Sequence, residues 1–273
     1  MIYQKDKQFN VMPSHMGLRK YIQYYNIVFL EKDTFLPQYT LMPNACGTLS
    51  LAFDGFSIRA ELWGATTMPI PLGAEPNGYR MLLLIQLSPY GLYQITGQNQ
   101  AEFADKRLWL SDIDIELYEM LHQAFLLSKN VMELVDACDK ILYRRMEDII
   151  VSDALQSAAT LISNSHGQIK MKEVSLQSCY SERQLNRLFL TQIGMSMKNF
   201  ARLTRFNYVL KHIQTSSCSF AALSQKAGYF DQAHFDKDFK AISGVSPQKY
   251  VKTMSDFYYD GTDIYPIISS KEQ

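Results

Sequence analysis

Along the first 109 residues, apolar and aromatic side chains come in short runs broken by turn formers. The runs 24–30, 48–53, 58–63, 79–87 and 92–96 are separated by Pro43-Asn44, Asp54-Gly55, Pro76-Asn77-Gly78 and Ser88-Pro89-Tyr90-Gly91. Short β-prone runs at this spacing predict strands in a small sandwich or barrel. From Ser111 the period lengthens to that of a helix. Residues 111–114 resemble an N-cap with an acidic first turn, and Ile113, Leu117, Leu121, Ala124 and Phe125 fall on one face. A second helix begins near Asn130, with Val131, Leu134, Val135, Cys138, Ile141 and Leu142 at three-to-four spacing. That stripe suits either packing on the sheet or a dimer surface.

Beyond Ile150 the pattern is helical throughout and repeats itself. At an offset of 50, Ser181 meets Asp231, Leu185 meets Phe235, Arg187 meets Lys237, Phe189 meets Phe239, Gly194 meets Gly244, Ser196 meets Ser246 and Phe200 meets Tyr250. Upstream, Val174-Ser175 matches Leu223-Ser224 at an offset of 49, so one extra residue lies at Gly228-Tyr229-Phe230. Two copies are too few for a solenoid and mark a duplicated module. Each copy predicts helix, tight turn, helix. In the first, 170–178 leads to a helix capped by Ser181 and running to about Gln192; in the second, 220–227 leads through Gly228 to a helix capped by Asp231. Residues 196–215 between the modules predict one helix, about 30 Å long at ~1.5 Å per residue. Two such modules entering successive major grooves need a separation of about 34 Å.

Charge changes the picture where composition does not. The chain has 273 residues, enough for two domains, and with 47% hydrophobic residues it can build real cores. The longest apolar run, 81–85, is far short of a bilayer span, and residues 1–10 lack the apolar stretch of a signal peptide. The four cysteines lie 92, 41 and 39 residues apart, as expected of reduced thiols in a cytoplasmic protein. Net charge is zero, yet residues 1–150 hold 13 Lys/Arg against 17 Asp/Glu, whereas residues 168–252 hold 13 against 5. A basic segment in a neutral chain points to a polyanion such as nucleic acid. Arg, Asn and Gln at the start of an exposed helix are side chains that suit guanine and adenine edges.

Residues 170–250 resemble the DNA-binding domain of AraC/XylS-type transcription regulators. The segment AGYFDQAHFDKDFKAISGVSPQKYV, residues 227–251, carries the most specific part, and YSERQLNRLFLTQIGMSMKNFARLTRF, residues 180–206, fits the other half. The resemblance implies seven helices, the first at about 153–163, with two helix-turn-helix units joined by a long helix. It places base-facing roles on Arg183, Gln184, Asn186 and Arg187 in the first module and on Gln232, Ala233, His234, Asp236 and Lys237 in the second. Cys179 stands where the family has a turn glycine, and Asp236 and Asp238 bring negative charge to the second helix. MPNACGTLSLAFDG and LSPYGLYQITGQNQAEFADKRLWLSDI are similar to the cupin-like domain that precedes this module in one subgroup, where it senses a ligand or mediates dimerisation.

The expected architecture is therefore α+β: a cupin-like β-rich sandwich or barrel over residues 1–110, a helical hairpin and linker over 111–150, an all-α DNA-binding domain over 151–255 and a tail over 256–273. Catalysis is not expected. No nucleophile elbow, zincin, P-loop or dinucleotide motif occurs, and the five histidines (His15, His122, His166, His212, His234) are scattered. No cofactor or metal is expected either: only His15 lies before Trp109, leaving at most a carboxylate site from Glu61, Glu75 and Glu102, and scattered cysteines do not form a zinc cluster. Tyr24, Phe29, Phe53, Trp63, Tyr79 and Tyr93 suit either a core or the lining of an effector pocket. The function expected is a sequence-specific DNA-binding transcription regulator controlled by a small-molecule effector or by homodimerisation. Its partners are double-stranded promoter DNA and, for an activator, RNA polymerase, with no membrane involved. The alternative is a protein-binding adaptor whose helix-turn-helix module no longer reads DNA.

Overall fold

A computed structural model describes residues 3–6, 9–31, 35, 37, 39–147, 149–215 and 218–253; the tail expected over 256–273 lies outside them. The chain is α+β, with strands confined to its first 109 residues. These are β1 (Tyr3–Asp6), β2 (Phe9–Met12), β3 (Ile22–Phe29), β4 (Thr40–Leu41), β5 (Thr48–Phe53), β6 (Ile58–Trp63), β7 (Ile70–Pro71), β8 (Met81–Leu87) and β9 (Arg107–Trp109). Seven form one antiparallel sheet in the order β1-β2-β3-β8-β5-β6-β9, and β4 pairs with β7 apart from it. The β5–β6 hairpin turns on Asp54-Gly55. Gly55 has φ +108, and the Asp54 carboxylate accepts the Phe56 and Ser57 N–H groups at 2.7 and 2.8 Å. Those bonds hold its carboxyl down to about 2.

Alternation along the strands gives the sheet two different faces. Leu49 and Leu51 of β5, Ala60 and Leu62 of β6, and Leu83, Ile85 and Leu87 of β8 are buried in one core. An irregularity between Ile22 and Tyr24 puts Ile22, Tyr25 and Ile27 of β3 on that same face. Against it lie α3 (Ile115–Leu127) and α4 (Val131–Glu147). The stripe Leu134, Val135, Cys138 and Leu142 is buried in this core, so its apolar period reports packing on the sheet and not a dimer surface. Each such side chain contributes roughly 1.5–3 kcal/mol by leaving water. Asp139 ties α4 to the start of the chain by accepting from the buried Tyr25 hydroxyl at 2.6 Å and from the His15 N–H at 2.9 Å.

Two sequence expectations are corrected. Residues 92–96 are not a strand but belong to α1 (Gly91–Thr96), closed by Gly97 at φ +66. Five apolar-rich residues cannot distinguish the two periods, and here Leu92 and Ile95 are buried on one side while Gln94 donates to the carbonyls of Met146 and Ile149. The cap at 111–114 also shifts. Residues 110–113 form a separate turn, α2 (Leu110–Ile113), and Asp114 caps α3 by accepting the Leu117 N–H at 3.0 Å. Asp114 pairs in addition with Arg145 of α4.

After residue 150 the described chain is helical: α5 (Asp153–Asn164), α6 (Met171–Ser178), α7 (Glu182–Gln192), α8 (Met197–Thr215), α9 (Phe220–Lys226), α10 (Gln232–Ser243) and α11 (Pro247–Thr253). Their shared core contains Leu155, Ile162, Leu185, Phe189, Phe206, Phe235 and Phe239, and it also takes in Ala45 and Ala65 from the β-rich half. The two halves thus share one apolar interface.

Candidate nucleic-acid interface

Each duplicated module folds as helix, turn, helix for reasons local to its sequence. In the first, Cys179 ends α6 with left-handed backbone, φ 56 and ψ 29, and the Tyr180 N–H returns to the Ser175 carbonyl at 3.2 Å. Ser181 then opens α7 with a capping box: Gln184 donates its N–H to the Ser181 hydroxyl, and its side-chain oxygen accepts the Ser181 N–H at 3.0 Å. In the second, Gly228 has φ 73, the Tyr229 N–H reaches the Ser224 carbonyl at 3.0 Å, and Asp231 caps α10 by accepting the His234 N–H at 2.7 Å. Cys179 therefore does adopt the conformation a glycine would take without penalty, which costs an L-residue about 1–2 kcal/mol.

Buried Leu185 and Phe189 of α7, and Phe235, Phe239 and Ile242 of α10, leave the opposite faces outward. Arg183 and Arg187 are exposed on α7. Gln184 is exposed but spends its side-chain oxygen on the cap, and Asn186 is half-buried with its oxygen accepting the Met197 N–H of α8 at 3.2 Å. On α10, Ala233, His234 and Lys237 are exposed while Gln232 and Asp236 are half-buried, with the His234 ring edge-on to Tyr229 at 5.3 Å. Asp238 does not contribute charge to that face. Its two oxygens accept from Arg202 Nε of α8 at 2.6 Å and from the Tyr229 hydroxyl at 2.9 Å, while Arg205 lies over the Tyr229 ring. Burial and the Asp238 carboxylate push the Tyr229 hydroxyl well above its ordinary value. Nothing local in the sequence flagged this anchor, because Arg202 and Asp238 lie 36 residues apart.

The other face of the sheet lines a cavity of about 280 Å³. Among the aromatics singled out from sequence, Tyr24, Trp63 and Tyr79 line it, whereas Phe29, Phe53 and Tyr93 do not. Arg107 donates to Glu61 and to Glu75, both at 2.6 Å, and stacks over the Trp63 ring at 4.7 Å. The bond from Arg107 holds the Glu75 carboxyl below its ordinary value. Two of the three carboxylates considered for a cation are thus brought together around an arginine. Glu102 sits instead in the turn of residues 100–102 that packs on α7. Asn207 and Leu210 of α8 and Tyr250 of α11 also line the cavity, residues that no sequence signal assigned to it. No described helix is long and apolar enough to cross a membrane.

The helix-turn-helix domain family matches residues 175–253. The chain is 26% identical over 126 residues to the arabinose operon regulatory protein of Salmonella typhimurium, covering 42% of this chain and 44% of the relative. It is 25% identical over 108 residues to the HTH-type transcriptional activator AarP of Providencia stuartii, covering 40% and 78%. The chain thus spans under half the length of the first of these relatives. Among solved structures, ToxT of Vibrio cholerae aligns at 12% identity with a TM-score of 0.43, covering 91% of this chain and 100% of that one.

Proposed function

We propose that this chain, an AraC/XylS-type regulator by its duplicated helix-turn-helix domain, binds double-stranded promoter DNA through both modules and regulates transcription. The observation that carries this reading is the pair of capped helices, α7 and α10, whose outer faces hold Arg183, Arg187, Ala233, His234 and Lys237 free of the core. The 19-residue α8 between them is about 28 Å long at ~1.5 Å per residue, close to one turn of duplex. On this reading Arg183 and Arg187 contact bases, Gln232, Ala233, His234, Asp236 and Lys237 line the second groove, and Gln184 and Asn186 set the pose of α7. Residues 1–110 act as the sensor, 111–150 as a supporting hairpin and 151–255 as the DNA-binding domain of a cytoplasmic protein; an activator would also meet RNA polymerase.

Effector control is supported by the cavity, whose walls come from the sheet and from α8 and α11, so an occupant would touch the helices that carry the second module. Homodimerisation would need a surface other than the buried stripe of α4. The adaptor alternative loses part of its motive, since Asp238 is spent on Arg202 and Tyr229. A mobility-shift assay of the full chain on random duplex at two salt concentrations, followed by footprinting on a selected site, tests the reading. Binding that weakens steeply with salt and protects two successive major grooves on one face is expected. Absence of binding at low salt would favour the adaptor.

A further inference from the structure

The second module is one residue longer than the first at its turn. The Tyr180-to-Ser175 and Tyr229-to-Ser224 hydrogen bonds make Tyr180 and Tyr229 equivalent. Ser181 follows Tyr180 directly as the cap of α7, whereas Phe230 intervenes before Asp231 caps α10. Phe230 is therefore the inserted residue. It is 91% exposed, the most exposed large apolar side chain among the described residues after 150.

An apolar residue at this position ordinarily packs on the fourth residue of the helix it precedes. Here that residue is Phe235, already enclosed by Tyr229, Phe220 and Phe239 at ring separations of 5.4, 6.2 and 5.9 Å. With that seat taken, the Phe230 ring stands in solvent at the N-terminal end of α10, the end that enters the groove in a helix-turn-helix. Of its neighbours in the first turn, Asp231 is committed to its cap, Gln232 is half-buried and Ala233 is a methyl group, which leaves His234 as the exposed polar side chain beside it. The apolar feature on a base edge in the major groove is the thymine C5-methyl, and phenylalanine and alanine side chains suit it.

We propose that Phe230 is a specificity-determining residue that packs on a thymine methyl in the groove occupied by α10. The assignment rests on the DNA-binding reading above. It makes the two modules chemically unlike, with arginines offered to guanine by α7 and apolar contact offered to thymine by α10.

The test uses the full chain and duplexes selected by it from a random library. Each thymine of the selected site is replaced singly by deoxyuridine, which removes only the methyl group. One replacement in the α10 half of the site should lower affinity about three- to tenfold. Phe230→Ala should bind the unmodified duplex more weakly by a similar factor and lose its sensitivity to that replacement, while Phe230→Leu keeps part of both. Thermal melts of the variants should match the parent, since the side chain supports no core. The assignment is overturned if no deoxyuridine replacement matters, if Phe230→Ala remains sensitive to it, or if Phe230→Ala binds unchanged, which would direct the ring toward a protein partner. Failure to select any duplex would instead sink the DNA-binding reading, and this inference with it.

Discussion

The two helix-turn-helix modules descend from one pattern but are held in place by different means. The first is fastened to the β-rich half: α7 packs on the turn of residues 100–102, and Gly194 lies against the backbone of Gln100. The second is fastened to the connecting helix through Arg202, Asp238 and Tyr229. Where the second places Asp238, the first has Leu188, packed on the shared core. The difference shows that a duplicated fold can keep its caps and apolar spacing while each copy acquires its own attachment. The first module thus touches both the sheet side and α8, whereas the second is anchored on α8, which borders the cavity.

The largest test of that contrast uses the paired glycines Gly194 and Gly244, which have φ values of +93 and +78. A methyl group on Gly194 would stand 2.7 Å from the Gln100 carbonyl oxygen, whereas one on Gly244 meets nothing within 4 Å. Gly194→Ala should cost about 2–4 kcal/mol from backbone strain plus overpacking, and Gly244→Ala only about 1–2 kcal/mol from strain. Denaturant unfolding of the two variants measures this, and equal losses would mean that the first module is not pressed against the sheet. Asp238→Ala should cost about 2–3 kcal/mol by leaving the buried Tyr229 hydroxyl and Arg202 without their acceptor. Hydrogen exchange should then rise in α10 and not in α7; loss of protection in both would show that the modules unfold as one.

The contrast at the DNA is smaller. Arg187→Ala should cost about 1–3 kcal/mol at a selected site and relax its base preference, as expected for an arginine reading guanine. Its repeat partner is different in kind: Lys237→Ala should weaken binding evenly across sequences and lower the salt slope by about one. Exchange of these two signatures in a competition assay would reverse the roles. Smallest is the turn. Cys179→Gly should raise stability by about 0.5–1 kcal/mol, relief of left-handed strain outweighing the added chain entropy, whereas Gly228→Ala should lower it by about 1 kcal/mol. Thermal melts would show both shifts with opposite sign.

Most of the helical half was legible because its signals are short-range. Ser181 and Asp231 as caps, the apolar spacing of Leu185 and Phe189, and the offset of 50 residues between modules each depend on neighbours within a few positions, and α6 to α10 appear where those signals place them. The same holds for β5 and β6, bounded by turn formers. Residues 92–96 were not legible, because an isolated apolar run matches strand and helix alike until Gln94 finds its carbonyl partners some 50 residues away.

The sequence by itself determined the caps, the periods, the repeat and the basic segment, since backbone hydrogen bonding and helical geometry act between near neighbours. Tertiary structure alone decided which polar residues on those helices remain outward. It turned the oxygen of Asn186 toward α8, spent Asp238 on an arginine 36 residues distant, buried the α4 stripe in the core under the sheet and brought Tyr250 to the cavity wall. Those outcomes depend on groups far apart in the chain that meet only when the cores form, because a buried polar group must find a partner wherever the fold supplies one.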